Sequence, residues 1–280
     1  MLNVSPTAGQ ILILLSAFIG VGIALRYAWR VRRRDRLRRR PLSRAWLAIV
    51  ESNLPVYRKL PADLQAQIQG LMQVFLDEKR FLGAGGLEIT DEMRVTVAAQ
   101  ACLLLLNRRT RVYPNLYTIF MYPSAYRTAQ EATAQDGTVA KPSQTRLGES
   151  WTRGPVVLAW DHSKKGGRNF RDGRNVVIHE FAHQLDQADG VADGTPVLEK
   201  SGRYRSWAAV LGREYEQLRG RAGRQHRRAV LDDYGATNEA EFFAVASESF
   251  FEKPRQMMDK HPDLFDELKT YYQIDPSEWV

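Results

Sequence analysis

One cysteine in 280 residues leaves no second thiol, so an intrachain disulfide is excluded as a source of stability. That residue, Cys102, sits in Ala101-Cys102-Leu103-Leu104-Leu105-Leu106 and reads as inert core; its isolation favours a reducing compartment. Internal repeats and low-complexity tracts are also missing, which argues against a repeat architecture. Gly83, Gly85 and Gly86 lack the strand-then-helix setting and the lysine of a phosphate loop, and read as a turn. Net charge is missing too, once one segment is set aside. The chain is +8, and residues 26–40 hold nine arginines against Asp35, so the remainder carries 31 basic and 31 acidic residues. The pI of about 9.6 is a property of that one segment, and no nucleic-acid partner is expected from it. A second basic run, Arg219 to Arg228, has few aromatics and reads as a solvated loop.

Charged side chains are absent from residues 1–25, and Ile11 to Leu25 is apolar apart from Ser16 and glycines. Counted from Val4, the stretch reaches roughly 20 residues, enough for a bilayer core of about 30 Å. The positive flank follows the apolar run, whereas a secretory signal has it in front. Residues 1–29 are therefore expected to be a transmembrane anchor, with the N-terminus outside and the arginines on the cytoplasmic side. Residues 30–53 are expected to be a basic juxtamembrane segment and connector, with a short helix around Trp46.

The chemistry is concentrated in His179-Glu180-Phe181-Ala182-His183. Two histidines four apart on a helix stand about 40° apart and roughly 6 Å along it, so both imidazoles reach one ion. The intervening Glu is placed to deprotonate a metal-bound water, as in metalloproteases. Val176, Val177 and Ile178 run apolar into the motif, Asp172 or Asn175 is available as a cap, and Gly190 follows as a stop. His162, His226 and His261 show no ligand spacing.

A catalytic zinc takes three protein ligands. One continuation of the motif needs a glycine three residues after the second histidine and a ligand three further on; those positions hold Asp186 and Asp189. Without the glycine, Asp189 has no tight turn to bring it back, and Asp186 is better suited to orienting an imidazole. The other candidate lies in an apolar, aromatic-rich helix beginning near Asn238. Glu241 and Glu248 are seven apart there and share a face, and buried carboxylates need partners. Asn238 and Glu241 also read as a capping box. Of the clearest strands, Leu116 to Tyr122 and Val156 to Trp160, the second is the candidate edge strand for an extended substrate, through Val156, Val157, Leu158 and Ala159, with an interior strand as the alternative. Leu64 to Phe75 and Met93 to Leu106 recur as core helices, and Ser124 to Arg146 reads as a polar surface excursion.

The chain resembles the Mlc titration factor A family of zinc-dependent bacterial peptidases. The resemblance rests on Leu71 to Lys79, Gly148 to Trp151, Gly154 to Trp160, His179 to Asp186 and Glu239 to Val245, and covers roughly residues 54 to 275 in order. It implies one Zn2+ per chain held by His179, His183 and Glu241, Glu180 as catalytic base, and Tyr234 near the substrate carbonyl. Asp186 and Glu248 are then expected to orient the ligands.

The expected fold is α+β and zincin-like: a small mixed sheet with an edge strand over the HExxH helix and a helical C-terminal part, preceded by a single transmembrane helix. Residues 54–280 would form the peptidase domain, facing the cytoplasm from the bacterial inner membrane. Expected partners are a peptide or protein substrate and the lipid bilayer, through residues 1–29 and the arginine-rich flank. The family's name adds a transcriptional regulator to these. The resemblance leans towards aminopeptidase action; the rival reading is a tethered protein that sequesters the regulator.

Overall fold

Helices dominate the chain. The computed structural model describes residues 8–108, 110–124, 148–150, 154–223 and 229–279. They form α1 (Ala8–Arg38), α2 (Arg44–Asn53), α3 (Ala62–Glu78), α4 (Asp91–Leu103), α5 (Trp160–Arg168), α6 (Val176–Asp186), α7 (Tyr204–Arg221), α8 (Glu239–Glu252), α9 (Pro254–Lys260) and α10 (Pro262–Tyr272). Four short strands, β1 (Arg80–Gly83), β2 (Thr118–Tyr122), β3 (Gly148–Ser150) and β4 (Val156–Ala159), make one sheet in the order β1-β2-β4-β3. The first three strands in that order run parallel, and β3 pairs antiparallel with β4. The α+β expectation is corrected to a mostly helical protein with a small, largely parallel sheet. The helices α2, α3, α4 and α8 fall where apolar recurrence and caps placed them; most of Ser124 to Arg146 lies outside the described residues.

The expected edge strand is also corrected. β4 pairs with β2 on one side, Phe120 opposite Val157, and with β3 on the other, Glu149 opposite Val157. All four of its residues are buried, as an interior parallel strand requires. The outermost strand on that side, among the described residues, is β3.

Among the described residues, no helix is long and apolar enough to cross a membrane. This overturns the expected anchor, the inner-membrane location and the bilayer as a partner. The largely apolar run of α1, Ile11–Leu25, rises only about 22 Å at 1.5 Å per residue, against a hydrocarbon core of about 30 Å. The residues that would lengthen it, Val4 to Thr7, lie outside the described residues. The helix then continues without a break through the arginines and docks on the rest of the chain. Arg33 pairs with Asp77 and Arg34 with Glu78, both at 2.5 Å, at the end of α3. Gly70 lets Arg38 pass over α3, since a Cβ there would collide with the Arg38 carbonyl oxygen.

The core joins the sheet to the helices that carry the motif. Phe181 of α6 packs edge-on against Tyr113 and tilted against Phe75 of α3, with ring centroids 4.7 and 5.6 Å apart. On α8, Phe242, Phe243, Phe250 and Phe251 are all buried: Phe242 packs edge-on against Tyr215, Phe243 edge-on against Trp207, and Phe250 and Phe251 against Tyr272. Cys102 is buried in α4, as its sequence setting indicates. α6 and α8 pack directly on one another, and this places their polar stripes face to face.

Candidate metal centre

Asn175 starts α6. Its Oδ1 accepts from the backbone N–H of Val177 and Ile178, both at 3.1 Å, which satisfies two of the four orphan donors of a helix start. His179 follows one turn later and His183 one turn after that. α8 starts in the same way: Asn238 Oδ1 accepts from the N–H of Glu241 at 2.9 Å. The cap fixes Glu241 in the first turn of α8, and its side chain reaches the histidines.

The three side chains converge. His179 Nε2 lies 2.9 Å from Glu241 Oε2 and 3.2 Å from His183 Nε2, and His183 Nε2 lies 3.4 Å from Glu241 Oε2. One donor atom from each of His179, His183 and Glu241 falls within 4.8 Å of the others, a grouping that could hold a metal ion. Glu248 Oε1 stands 2.5 Å from His179 Nδ1. A carboxylate there accepts a hydrogen bond from Nδ1–H, so neutral His179 turns a lone pair at Nε2 towards Glu241. Two acceptors 2.9 Å apart need a cation between them. In the protein alone that cation is a proton: burial works to lower His179, but the carboxylates of Glu241 and Glu248 outweigh it and hold the imidazole well above its usual range. Burial acts to raise Glu241, and the two histidines outweigh it, keeping its carboxyl below the carboxylate range. His183 is pushed down, by burial above all. A divalent metal meets the same demand, and two imidazoles with one carboxylate are a zinc-type donor set. The residues present fit the metal.

The remaining expected residues divide. Glu180 is buried beside His179, and its charge helps to raise that imidazole. Tyr234 sits in a 3-10 turn (Asp233–Ala236), and its own N–H donates to Asp232 Oδ1 at 3.0 Å. Its ring centroid is 5.9 Å from that of His179, and it is 49% exposed at the rim of the site. Asp186 does not orient an imidazole: its Oδ2 accepts from the N–H of Gly194 at 3.0 Å, and burial pushes its carboxyl up to about 7. Asp189 caps the N–H of Val191 at 3.0 Å, in a turn closed by Gly190 at φ +101°. His261 is buried against Glu214 at 2.7 Å, away from α6, and His226 lies outside the described residues.

A family profile described as "Glucose-regulated metallo-peptidase M90" matches residues 28–273. The chain belongs to this family. A protein of Synechocystis sp. named as uncharacterized protein slr2042 is 40% identical over 250 residues, covering 89% of this chain and 90% of its own. The Mlc titration factor A of Klebsiella pneumoniae is 30% identical over 231 residues, covering 81% and 85%. That of Enterobacter sp. is 29% identical over 231 residues, covering 80% and 84%. The M90 match spans α6 and α8, and with them the whole His179–His183–Glu241 cluster.

Sequence reasoning missed three members of this network: Glu252, Asp232 and Arg174. Arg174 Nη2 pairs with Asp232 Oδ2 at 2.8 Å and so ties the Tyr234 turn to the entry of α6. Glu252 accepts from the N–H of Gly173 at 2.8 Å. A signal for it existed, because Glu252 is a third acid on the face of α8 that carries Glu241 and Glu248.

Proposed function

We propose that this M90 protein is a zinc-dependent peptidase whose metal is held by His179, His183 and Glu241. The observation that carries the reading is the convergence of these three donors within 4.8 Å, with Glu248 behind His179. Bound there, zinc supplies Lewis acidity towards a scissile carbonyl. Glu180 takes the proton of the attacking water on its carboxylate and returns it to the leaving amine. Tyr234, at the rim, offers its O–H to the oxyanion that develops on the carbonyl. An extended substrate would run beside β3, the outer strand, and not beside the enclosed β4. All of these residues fall within 54–280, the segment we assign to the chemistry, and aminopeptidase action is the mode we favour.

The test is cleavage profiling of a peptide library by wild type and Glu180→Gln, with zinc content measured on both. Library cleavage by wild type alone, with equal zinc in both, supports the reading; identical profiles overturn it. The second reading, capture of a transcriptional regulator, draws on the name of the relatives, Mlc titration factor A. Regulator binding unchanged by Glu180→Gln and by zinc removal would favour it.

A further inference from the structure

Two carboxylates of α8 grip the turn that enters α6, and only one of them touches a histidine. Glu248 splits its oxygens between His179 Nδ1 at 2.5 Å and the N–H of Asn175 at 2.9 Å. Glu252, one turn further along and 2% exposed, uses Oε2 for the N–H groups of Gly173 at 2.8 Å and Arg174 at 3.2 Å. Its Oε1 accepts from Asn175 Nδ2 at 3.1 Å. Three successive backbone N–H groups, 173 to 175, therefore face α8, in a turn that places Gly173 at φ +71°. Every one of these neighbours of Glu252 is a donor.

Like charges one turn apart on a helix repel, and buried carboxylates carry a heavy desolvation cost. An apolar residue would pack position 252 at less cost, so packing alone does not account for the acid. Its contacts do. Because Asn175 Nδ2 is committed to Glu252, the Asn175 Oδ1 must face Val177 and Ile178, and this sets where α6 begins. The same residue's carbonyl receives the N–H of His179 at 2.9 Å, and its own N–H holds Glu248.

We infer that Glu252 is a positioning residue of the metal centre, which acts through the Asn175 amide to fix where Glu248 and His179 meet. The inference rests on the reading of His179, His183 and Glu241 as metal ligands. It makes Glu252 and Asn175 a matched acceptor–donor pair with a defined reversal. Glu252→Gln brings an amide NH2 that must face either Asn175 Nδ2 or the Gly173 and Arg174 N–H groups, so a donor meets a donor either way. Asn175→Asp sets a carboxylate oxygen against Glu252 Oε1, so an acceptor meets an acceptor. In the double variant the Gln NH2 donates to the Asp, the Gln oxygen takes the two backbone N–H groups, and the Asp still caps α6. Every bond returns with donor and acceptor exchanged.

The experiment is this cycle of four proteins, confirmed folded by circular dichroism. Zn2+ affinity is measured by competition with a chromophoric chelator, and the visible spectrum is recorded with Co2+ bound. Each single variant should lose about 10–100-fold in Zn2+ affinity, the range found when a ligand's supporting group is lost, and should alter the Co2+ bands. The double variant should return both to the wild-type range. Glu252→Gln that binds Zn2+ as wild type does, with only its melting temperature lowered, would overturn the inference, as would a double variant no better than the singles. If one single variant does not fold, the other single against the double decides. Failure of the unsubstituted protein to bind Zn2+ would instead remove the ligand reading beneath the inference.

Discussion

Glu248 Oε1 stands 2.5 Å from His179 Nδ1, on the side of the ring opposite the nitrogen that faces Glu241. The carboxylate thus selects the tautomer that leaves Nε2 free for a metal. Glu248→Gln can present either an oxygen to Nδ1 or an NH2, and the second choice imposes the wrong tautomer. It also risks a donor facing the N–H of Asn175. We expect a loss of about 10–100-fold in Zn2+ affinity with the fold retained, measured by chelator competition.

Glu180→Gln should leave metal binding intact, because Glu180 is outside the cluster of donors. Hydrolysis should fall by about 10²–10⁴-fold, the usual contribution of a positioned base. Turnover of a cleaved library peptide, with zinc stoichiometry by atomic absorption, reads both quantities. Unchanged turnover would remove Glu180 from the mechanism.

Glu241→Ala takes away the only carboxylate among the three converging donors, and zinc stoichiometry after dialysis should drop well below one per chain. Zinc held at wild-type affinity would show that another group supplies the third ligand.

Lys79, which is not one of the three converging donors, gives a separate pH dependence. The residue is 6% exposed, its ammonium donates to the carbonyls of Tyr113 at 2.7 Å and Leu116 at 2.9 Å, and burial pushes its pKa down to about 8 from 10.5. Below about pH 8 both the folded and the unfolded chain hold this proton, so its effect is constant. Between about 8 and 10.5 the unfolded chain binds more protons, and stability from this group rises with pH. The rise is on the order of 3 kcal/mol at most. Urea midpoints at a series of pH values should show it in wild type and lack it in Lys79→Met.

Gly70→Val tests the docking of α1. A side chain there meets the backbone of Arg38, whose Cα and carbonyl carbon lie 3.1 Å from the Cβ position. We expect about 1–3 kcal/mol of destabilisation, typical of overpacking, and faster proteolysis near residue 38. Equal cleavage rates would mean that α1 does not depend on this contact.

The sequence was most legible where the signal is local. The spacing of His179 with His183 and of Glu241 with Glu248 could be read because helical periodicity and caps are set within single helices, and packing α6 on α8 then brings the two stripes together. The position of Val156–Ala159 in the sheet could not be read, because it depends on β3, whose residues Gly148, Glu149 and Ser150 have little strand propensity. Asp186 misled for a related reason: its partner, Gly194, belongs to a later loop with no periodicity. The apolar run of α1 carries the same hydropathy signal whether or not a helix crosses a bilayer, so its length and continuation had to come from the structure.

The solitary thiol gives this protein a reporter of its own interior. Cys102 has no accessible surface, and burial pushes its thiol far up, so a thiol reagent has nothing to react with until α4 opens. With no second sulfhydryl to confuse the signal, labelling kinetics with and without added zinc would measure whether the metal changes the breathing of the core.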